Sequence, residues 1–346
     1  MGLVKLRVMM LAQLDSLFPD LSAALAYRTF CRPDLSSHRS SDHVSLVERA
    51  RVHLRTADHV TVATEGGPVQ AYVLQPNDGR VRANVLLVHG WSAEASFMSV
   101  FAHQLTKRGY RVVLFDFPAH GQSPGRRTTM INCAHAVRDV AETLGPIQFV
   151  VAHSLGGLAT LLAGWGGKPM PRPYPFRAYA CVSVPNSFPE LVRGFASSIS
   201  LSDTAQARLE EMLENYGGRK LEDFTSARLI EAIQRPVMFL HCEDDDEIGI
   251  SNAETAIEGS SLAELKRFSG LGHRKILYAP PVVRAITSFV DKQAESLGPF
   301  EAWQVPALQP ISLAQSFAER LKDQTRLAAK KRLRGFADEG NLQGAN

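Results

Sequence analysis

The sequence has few cysteines, little excess charge and no long apolar run, and each of these shortages excludes a class of protein. Its four cysteines (Cys31, Cys133, Cys181 and Cys242) are scattered over 346 residues, without metal-ligand spacing or a disulfide framework. We therefore expect buried free thiols in a reducing compartment and predict a cytoplasmic protein. The formal net charge is only +3, so nothing predicts nucleic acid as a partner.

The N-terminal stretch is apolar in part, but it is too short and too polar to predict a membrane span or a signal peptide. Gln13 and Asp15 interrupt the apolar run that begins at Val8. Residues 1–32 are predicted to form two helices, the second beginning near Pro19. We expect these helices to pack on their own domain. Peripheral membrane contact, or a cover over the entrance to a site, remains open as an alternative, and nothing in the sequence specifies an oligomeric state.

From residue 60 onward, short apolar runs alternate with helical patterns after a first hairpin. This alternation predicts a mainly parallel sheet covered by helices on both faces. The hairpin pairs residues 60–63 with 69–74. Further strands are predicted at 85–88, 111–115, 178–184, 237–241 and 262–268, with helices at 97–108, 132–144 and 281–295.

Two segments interrupt the alternation and set the predicted domain boundaries. An N-terminal helical extension and linker covers 1–54, a core covers 55–185 and 235–297, a helical cap insertion covers 186–234, and a C-terminal extension covers 298–346. The extension carries a helical pattern from Leu313 to about Phe336 that includes the basic run Lys330–Arg334, which we interpret as a solvated helix end.

One serine stands where a predicted strand turns directly into a helix. An apolar run opens at Ile147, Ser154 follows His153, and good helix formers begin at Leu158. Such a turn strains the backbone and raises the hydroxyl clear of the sheet. An ordinary buried turn that happens to contain serine is the alternative.

The pentapeptide Ala152-His-Ser-Leu-Gly156 resembles the G-x-S-x-G nucleophile elbow of the α/β-hydrolase superfamily, with alanine at the first small position. Three other stretches resemble motifs of that family, in the family's order: His89-Gly-Trp-Ser, Asp116-Phe-Pro-Ala-His-Gly-Gln-Ser and Gly270-Leu-Gly-His. The resemblance covers roughly residues 55–295 and is strongest to lid-bearing esterases, lipases and monoacylglycerol lipases. It implies the α/β-hydrolase fold, in the α/β class, with a helical cap.

The same resemblance implies a catalytic triad and an oxyanion hole. Ser154 falls on the nucleophile, Asp245 on the acid and His273 on the base. The backbone N–H groups of Trp91 and Leu155 fall on the oxyanion donors.

Three consecutive aspartates, Asp244, Asp245 and Asp246, could supply the acid. In the family's acid loop, Cys242 takes the small position and Ile248 the apolar one, which places Asp245 on the acid. Asp244 and Asp246 stay open as rivals, and the acidic run also fits a solvated loop or a weak cation site.

Three residues next to these motifs are predicted to line the substrate site, namely His89, Gly90 and His153. Gly90 would let the backbone approach the acyl group closely. His153 adjoins the nucleophile, so its side chain is expected to point away from it. Asp116 is read as structural.

The resemblance implies a serine hydrolase that cleaves carboxylic esters of acyl chains through an acyl-enzyme. It implies a small-molecule acyl ester as the substrate and neither a cofactor nor a metal. An acyltransferase or a thioesterase would use the same triad. A non-catalytic binding protein on this fold is disfavoured, because every triad position is filled.

Overall fold

Short runs rich in valine, leucine and phenylalanine form one eight-stranded sheet in a computed structural model of the chain. The strands are β1 (Asp58–Val62), β2 (Val69–Leu74), β3 (Asn84–Val88), β4 (Arg111–Phe115), β5 (Phe149–His153), β6 (Ala178–Val182), β7 (Val237–Cys242) and β8 (Ala263–Phe268). Their order is β1-β2-β4-β3-β5-β6-β7-β8. β2 is antiparallel to β1 and to β4, and the other neighbours are parallel. The predicted hairpin and the mainly parallel sheet are thus confirmed.

Helices precede the sheet, connect its strands and follow it. They are α1 (Pro19–Phe30), α2 (Ser99–Lys107), α3 (Met130–Leu144), α4 (Leu155–Trp165), α5 (Phe188–Ser198), α6 (Asp203–Gly217), α7 (Ser226–Ile233), α8 (Ser251–Ile257), α9 (Gly272–Lys275) and α10 (Pro280–Glu295). Short 3₁₀ turns occupy Ala95–Met98, Leu221–Asp223 and Ile276–Tyr278. In the part of the chain that the structure describes, no helix is long and apolar enough to cross a membrane.

The structure describes Asp15, residues 18–34, Val52 and residues 54–297. The predicted helix before Pro19 lies outside the described residues except for Asp15, and so does most of the predicted linker. The predicted C-terminal helix and its basic run also lie outside them.

The central strands are buried on both faces, as a parallel sheet between two helical layers requires. In β3, Leu86 and Val88 join one core with residues of α3 and α4. The alternate residues Val85 and Leu87 join a second core with residues of α2 and α10. Helices on both faces leave the carboxyl ends of the parallel strands as the edge where loops meet.

Most element boundaries differ from the sequence prediction by one or two residues, and two of the differences have a clear physical reason. β1 begins at Asp58, two residues before the strand predicted over 60–63, because Asp58 pairs with Val73 in the antiparallel ladder. The helix predicted over 97–108 begins as the 3₁₀ turn Ala95–Met98 and continues as α2 to Lys107. Pairing with β2 thus extends the first strand, and a 3₁₀ turn extends the helix. The local sequence pattern indicates neither extension.

The segment 186–234 folds as three capped helices rather than as one irregular loop. The hydroxyls of Ser187, Ser202 and Thr225 accept hydrogen bonds from backbone N–H groups in the first turns of α5, α6 and α7. Gly218 ends α6 in a left-handed conformation. α6 contacts α1, and α7 contacts α4 of the core. Local capping residues therefore specify where these helices begin and end. Packing of α6 against α1 connects the segment 186–234 to the N-terminal helix.

Candidate active site

Ser154 occupies the turn between β5 and α4 with a backbone that few non-glycine residues adopt. Its φ is 53° and its ψ is −134°. The Ser154 N–H donates to the carbonyl of Val182 at 2.9 Å, which fixes the turn against β6. A Cβ at Gly156 would collide with the carbonyl oxygen of His89, so this position requires glycine. Because the turn is so tight, the Ser154 side chain lies at the carboxyl edge of the sheet.

A line of hydrogen bonds joins Ser154, His273 and Asp245. His273 Nε2 lies 3.1 Å from Ser154 Oγ. His273 Nδ1 lies 2.9 Å and 3.1 Å from the two carboxylate oxygens of Asp245. A carboxylate only accepts, so Nδ1 carries the proton and Nε2 is left to accept the serine proton. The geometry is that of a nucleophile, a base and a group that orients the base.

The carboxylate of Asp245 is buried but well supplied with donors. It accepts hydrogen bonds from the N–H groups of Ile248 at 2.9 Å and Glu247 at 3.1 Å. His241 Nε2 lies 3.5 Å from it. Burial alone would raise the pKa of Asp245, but the hydrogen bonds from His273 and Ile248 outweigh it and lower the pKa overall. The acid therefore stays ionised at neutral pH.

The neighbouring carboxylates have other surroundings. Asp244 is exposed and accepts hydrogen bonds from the Cys242 thiol and the Gly270 N–H, both at 2.7 Å. Asp246 is exposed. Of the three consecutive aspartates, the structure brings Asp245 to His273.

The predicted oxyanion donors lie on either side of the serine. Leu155 begins α4, so its N–H has no partner within the helix. Trp91 belongs to the loop after β3, where a Cβ at Gly90 would lie only 2.9 Å from Ser154 Cβ. Neither N–H donates a hydrogen bond to any residue that the structure describes. Both are therefore available to an oxygen bound next to Ser154, and their role stays a prediction.

Two cavities meet at Ser154, and they differ in character. The larger holds about 470 Å³ and the smaller about 230 Å³. Ser154, Trp91 and Ser92 line both. Apolar side chains from the segment 186–234 line the larger one: Phe188, Leu191, Phe195, Leu213, Leu221 and Phe224. The smaller cavity is bordered by the ion pair of Glu247 and Arg274.

Comparison with known families matches residues 85–286, more than half of the chain, to the family described as the alpha/beta hydrolase family. The chain belongs to the alpha/beta hydrolase family. No curated protein sequence matches it significantly.

Solved structures with the same fold include enzymes named as lipases and esterases. A putative lipase (lip1) from Acinetobacter baumannii AYE is 18% identical with a TM-score of 0.55, covering 73% of this chain and 97% of its own. Est1E from Butyrivibrio proteoclasticus is 17% identical with a TM-score of 0.53, covering 68% and 99%. The esterase domain of a Rhodothermus marinus protein is 22% identical with a TM-score of 0.50, covering 70% and 99%. At these identities the likeness shows the fold.

In this alpha/beta hydrolase, His89 holds the loop after β3. His89 Nε2 accepts from the Phe117 N–H at 2.9 Å, so its Nδ1–H donates to the Gly90 carbonyl at 2.7 Å. The nearby His120 accepts from the Ser92 N–H at 3.0 Å. Both imidazoles are buried. This geometry favours a positioning role for His89, and direct contact with substrate stays a prediction.

His153 lies against the back of His273 rather than facing Ser154. Its Nε2–H donates to the His273 carbonyl at 3.0 Å, and the two ring centroids are 4.7 Å apart. Burial, followed by repulsion from His273, lowers the pKa of His153 to about 3. The imidazole is therefore neutral, and a contact between His153 and substrate stays a prediction.

Asp116 anchors the loops on the other side of the site. Its carboxylate accepts from the Ala95 N–H at 2.7 Å, the Gln122 N–H at 2.9 Å and the Tyr72 hydroxyl at 2.8 Å. Burial raises its pKa. The carboxylate contacts neither Ser154 nor His273, which agrees with the structural role expected for it. In the described residues no group of His, Cys, Asp and Glu is arranged to hold a metal ion.

The sequence reasoning missed the hydrogen bonds that the last two residues of β7 make around the acid loop. The Cys242 thiol donates to Asp244 and accepts the Leu271 N–H at 3.3 Å, so it links the loop after β7 to the loop after β8. His241 Nε2 donates to the Ile248 carbonyl at 2.7 Å within the acid loop. Both end β7 beside the predicted acid, which is the signal that could have drawn attention to them.

Proposed function

We propose that this alpha/beta hydrolase cleaves carboxylic esters by nucleophilic catalysis, with Ser154 as nucleophile, His273 as base and Asp245 as the acid that orients it. The observation that carries the proposal is the continuous line from Ser154 Oγ through both ring nitrogens of His273 to Asp245. An ionised Asp245 fixes the tautomer of His273 and stabilises the imidazolium that forms when Ser154 loses its proton.

The reaction divides into two half-reactions. Ser154 Oγ attacks the ester carbonyl while His273 Nε2 takes its proton, and the N–H groups of Leu155 and Trp91 stabilise the oxyanion. His273 then gives that proton to the leaving alcohol, and an acyl-enzyme remains. A water molecule, deprotonated by His273, attacks the acyl-enzyme and releases the carboxylic acid and Ser154.

The two cavities support an assignment of the two halves of the ester. The larger, apolar cavity suits an acyl chain, because apolar walls favour burial of hydrocarbon. The smaller cavity, bordered by Glu247 and Arg274, suits the alcohol. Lipases and esterases among the solved structures share this fold, which supports ester cleavage here.

We also propose that residues 186–234 act as a cap that selects the acyl chain. Six of their apolar side chains line the larger cavity, whereas Asp245 lies in the loop after β7 and His273 in α9, which follows β8. The core would then comprise 55–185 and 235–297.

An acyltransferase or a thioesterase would use the same residues. The smaller cavity is the observation that favours acyltransferase activity, since a polar acceptor alcohol bound there beside Ser154 could replace water as the attacking group. Adding graded alcohols to an ester assay distinguishes these activities: a transferase produces new esters at the expense of free acid. Parallel assays on thioesters test the remaining alternative.

The central test compares the wild-type protein with Ser154→Ala. The wild type is expected to hydrolyse p-nitrophenyl esters. It should also gain the mass of a phosphonyl group when Ser154 displaces fluoride from a fluorophosphonate, while Ser154→Ala loses turnover by several orders of magnitude and is not labelled. Ser198→Ala, an exposed serine of α5, serves as the matched control. A folded Ser154→Ala that keeps its activity would refute the proposal, and a wild type that is neither labelled nor active would favour a binding protein.

A further inference from the structure

The N-terminal helix contributes to the larger cavity although it lies outside the family match of residues 85–286. Five residues of α1 and the turn after it line that cavity: Thr29, Phe30, Cys31, Arg32 and Asp34. The apolar cavity that adjoins Ser154 is therefore closed in part by a segment that the family region does not contain.

α1 is fixed to the segment 186–234. Its buried face consists of the small residues Ser22, Ala23 and Ala26, which allow close contact with α6. Asp15 accepts a hydrogen bond from the Ser202 N–H at the start of α6. An exposed ion pair joins Asp20 to Arg208 at 3.1 Å, although exposed pairs contribute little. Small-residue packing therefore sets the position of α1.

The turn after α1 is fixed to the core. The carbonyl of Cys31 accepts the Thr128 N–H at 2.8 Å, beside the start of α3. The Asp34 N–H donates to Ser92 Oγ at 2.9 Å, in the loop that carries Trp91. The N-terminal segment thus contacts α6 through α1 and the loop next to the nucleophile through the turn after α1. The residues that line the cavity lie between these two contacts.

Phe30 is the large apolar side chain that this segment contributes to the cavity. Its ring centroid lies 5.1 Å from that of Phe195 and 6.0 Å from that of Phe188, both in α5. These tilted contacts lie in the range that aromatic pairs favour. Since all three rings line the cavity, the volume left for a ligand there depends on the size of residue 30.

We propose that Phe30 is a specificity-determining residue that limits the length of the acyl chain bound in the larger cavity, so that the N-terminal helix is part of the substrate site. The inference rests on the proposed ester hydrolysis, and it names the ligand class as a linear acyl chain. The lining of the cavity is mostly apolar, and a hydrocarbon chain requires no polar partner there.

The test measures kcat/KM of the full-length protein on p-nitrophenyl esters from acetate to palmitate. Phe30→Ala enlarges the cavity and is expected to raise the ratio of long-chain to butyrate kcat/KM by about tenfold, since pocket contacts with a methylene or two change discrimination by that order. Phe30→Trp reduces the space and is expected to lower the same ratio. Leu21→Ala, an exposed leucine of α1 outside the cavity, is the matched control and should keep the wild-type ratio.

The outcomes separate this inference from the proposed function. If the wild type hydrolyses none of the esters, the proposed function fails first. If the wild type hydrolyses the esters but the ratio of long-chain to butyrate kcat/KM is the wild-type one in both Phe30→Ala and Phe30→Trp, the assignment of Phe30 is wrong. The proposed triad is not affected by that outcome. Opposite shifts in the two variants support the assignment of Phe30, and they also exclude a general loss of stability, which would lower all rates together.

Discussion

The two regions that meet at Ser154 are built in different ways. At the strand ends, polar atoms of the loops after β3, β5, β7 and β8 are joined by hydrogen bonds, and Asp245 alone receives donors from Glu247, Ile248 and His273. In the larger cavity, rings and aliphatic side chains from α1, α5 and the segment after α6 meet by packing. Position is therefore set by directional bonds in one region and by side-chain volume in the other.

This difference predicts which substitutions each region tolerates. Hydrogen-bond geometry fails when a donor or acceptor is lost, because a buried partner is left unsatisfied. Apolar walls can exchange side chains of different size while the chemistry next to them persists. Substitutions at the strand ends should therefore change the turnover rate, and substitutions in the cavity lining should change the preference among substrates.

The largest effect is expected at the acid. Asp245→Asn should lower turnover by roughly three to four orders of magnitude, because an amide cannot hold the same tautomer of His273 or stabilise its imidazolium. The chain-length preference should not change. Initial rates on one ester series measure both quantities, after circular dichroism has shown that each variant is folded.

Asp244→Asn and Asp246→Asn are the matched controls, since both side chains are exposed. Their rates should stay within roughly tenfold of the wild type. If Asp244 or Asp246 proved to be the damaging site while Asp245→Asn remained active, the assignment of the acid from the hydrogen bonds would be wrong.

The second effect concerns the cavity alone. Leu191→Phe in α5 adds bulk to the lining and should lower kcat/KM on long-chain esters relative to acetate by about tenfold, with the acetate rate nearly unchanged. Ile199→Phe adds similar bulk at the end of the same helix outside the lining and serves as control. A uniform loss of rate on all esters, with the preference constant, would contradict the division between the two regions.

The strand ends were largely predictable from the sequence, and the cavity was not. The turn at Ser154 and the loop at His273 follow local patterns, since a strand, a tight turn and a helix are encoded by adjacent residues. The larger cavity instead depends on Phe30 meeting Phe195, residues far apart in the chain. No local pattern encodes that contact. The sequence left a cover over the site entrance open as an alternative for the N-terminal helices, but it did not indicate which residues of α1 line the cavity.

The smallest effect is expected at His153, which lies between the two loops that carry Ser154 and His273. Its pKa of about 3 in the folded protein is below the value of about 6.5 in an unfolded chain. Above pH 6.5 the imidazole is neutral in both states and contributes no pH dependence. Below it the unfolded chain binds a proton that the folded protein does not, so stability is lost as the pH falls from about 6.5 towards 3.

His153→Gln removes that titration and keeps an N–H that can reach the His273 carbonyl. The free energy of unfolding of the variant minus that of the wild type should be constant between pH 7 and 8. It should then rise by up to roughly 1.4 kcal/mol per pH unit as the pH falls below 6, because one proton fewer is taken up on unfolding. Burial also lowers the pKa of His135 and His241, but both are present in the two proteins and cancel in the difference. Urea unfolding of both proteins at several pH values measures this difference. A difference that is independent of pH down to pH 4 would show that His153 is protonated in the folded protein and that its burial does not keep it neutral.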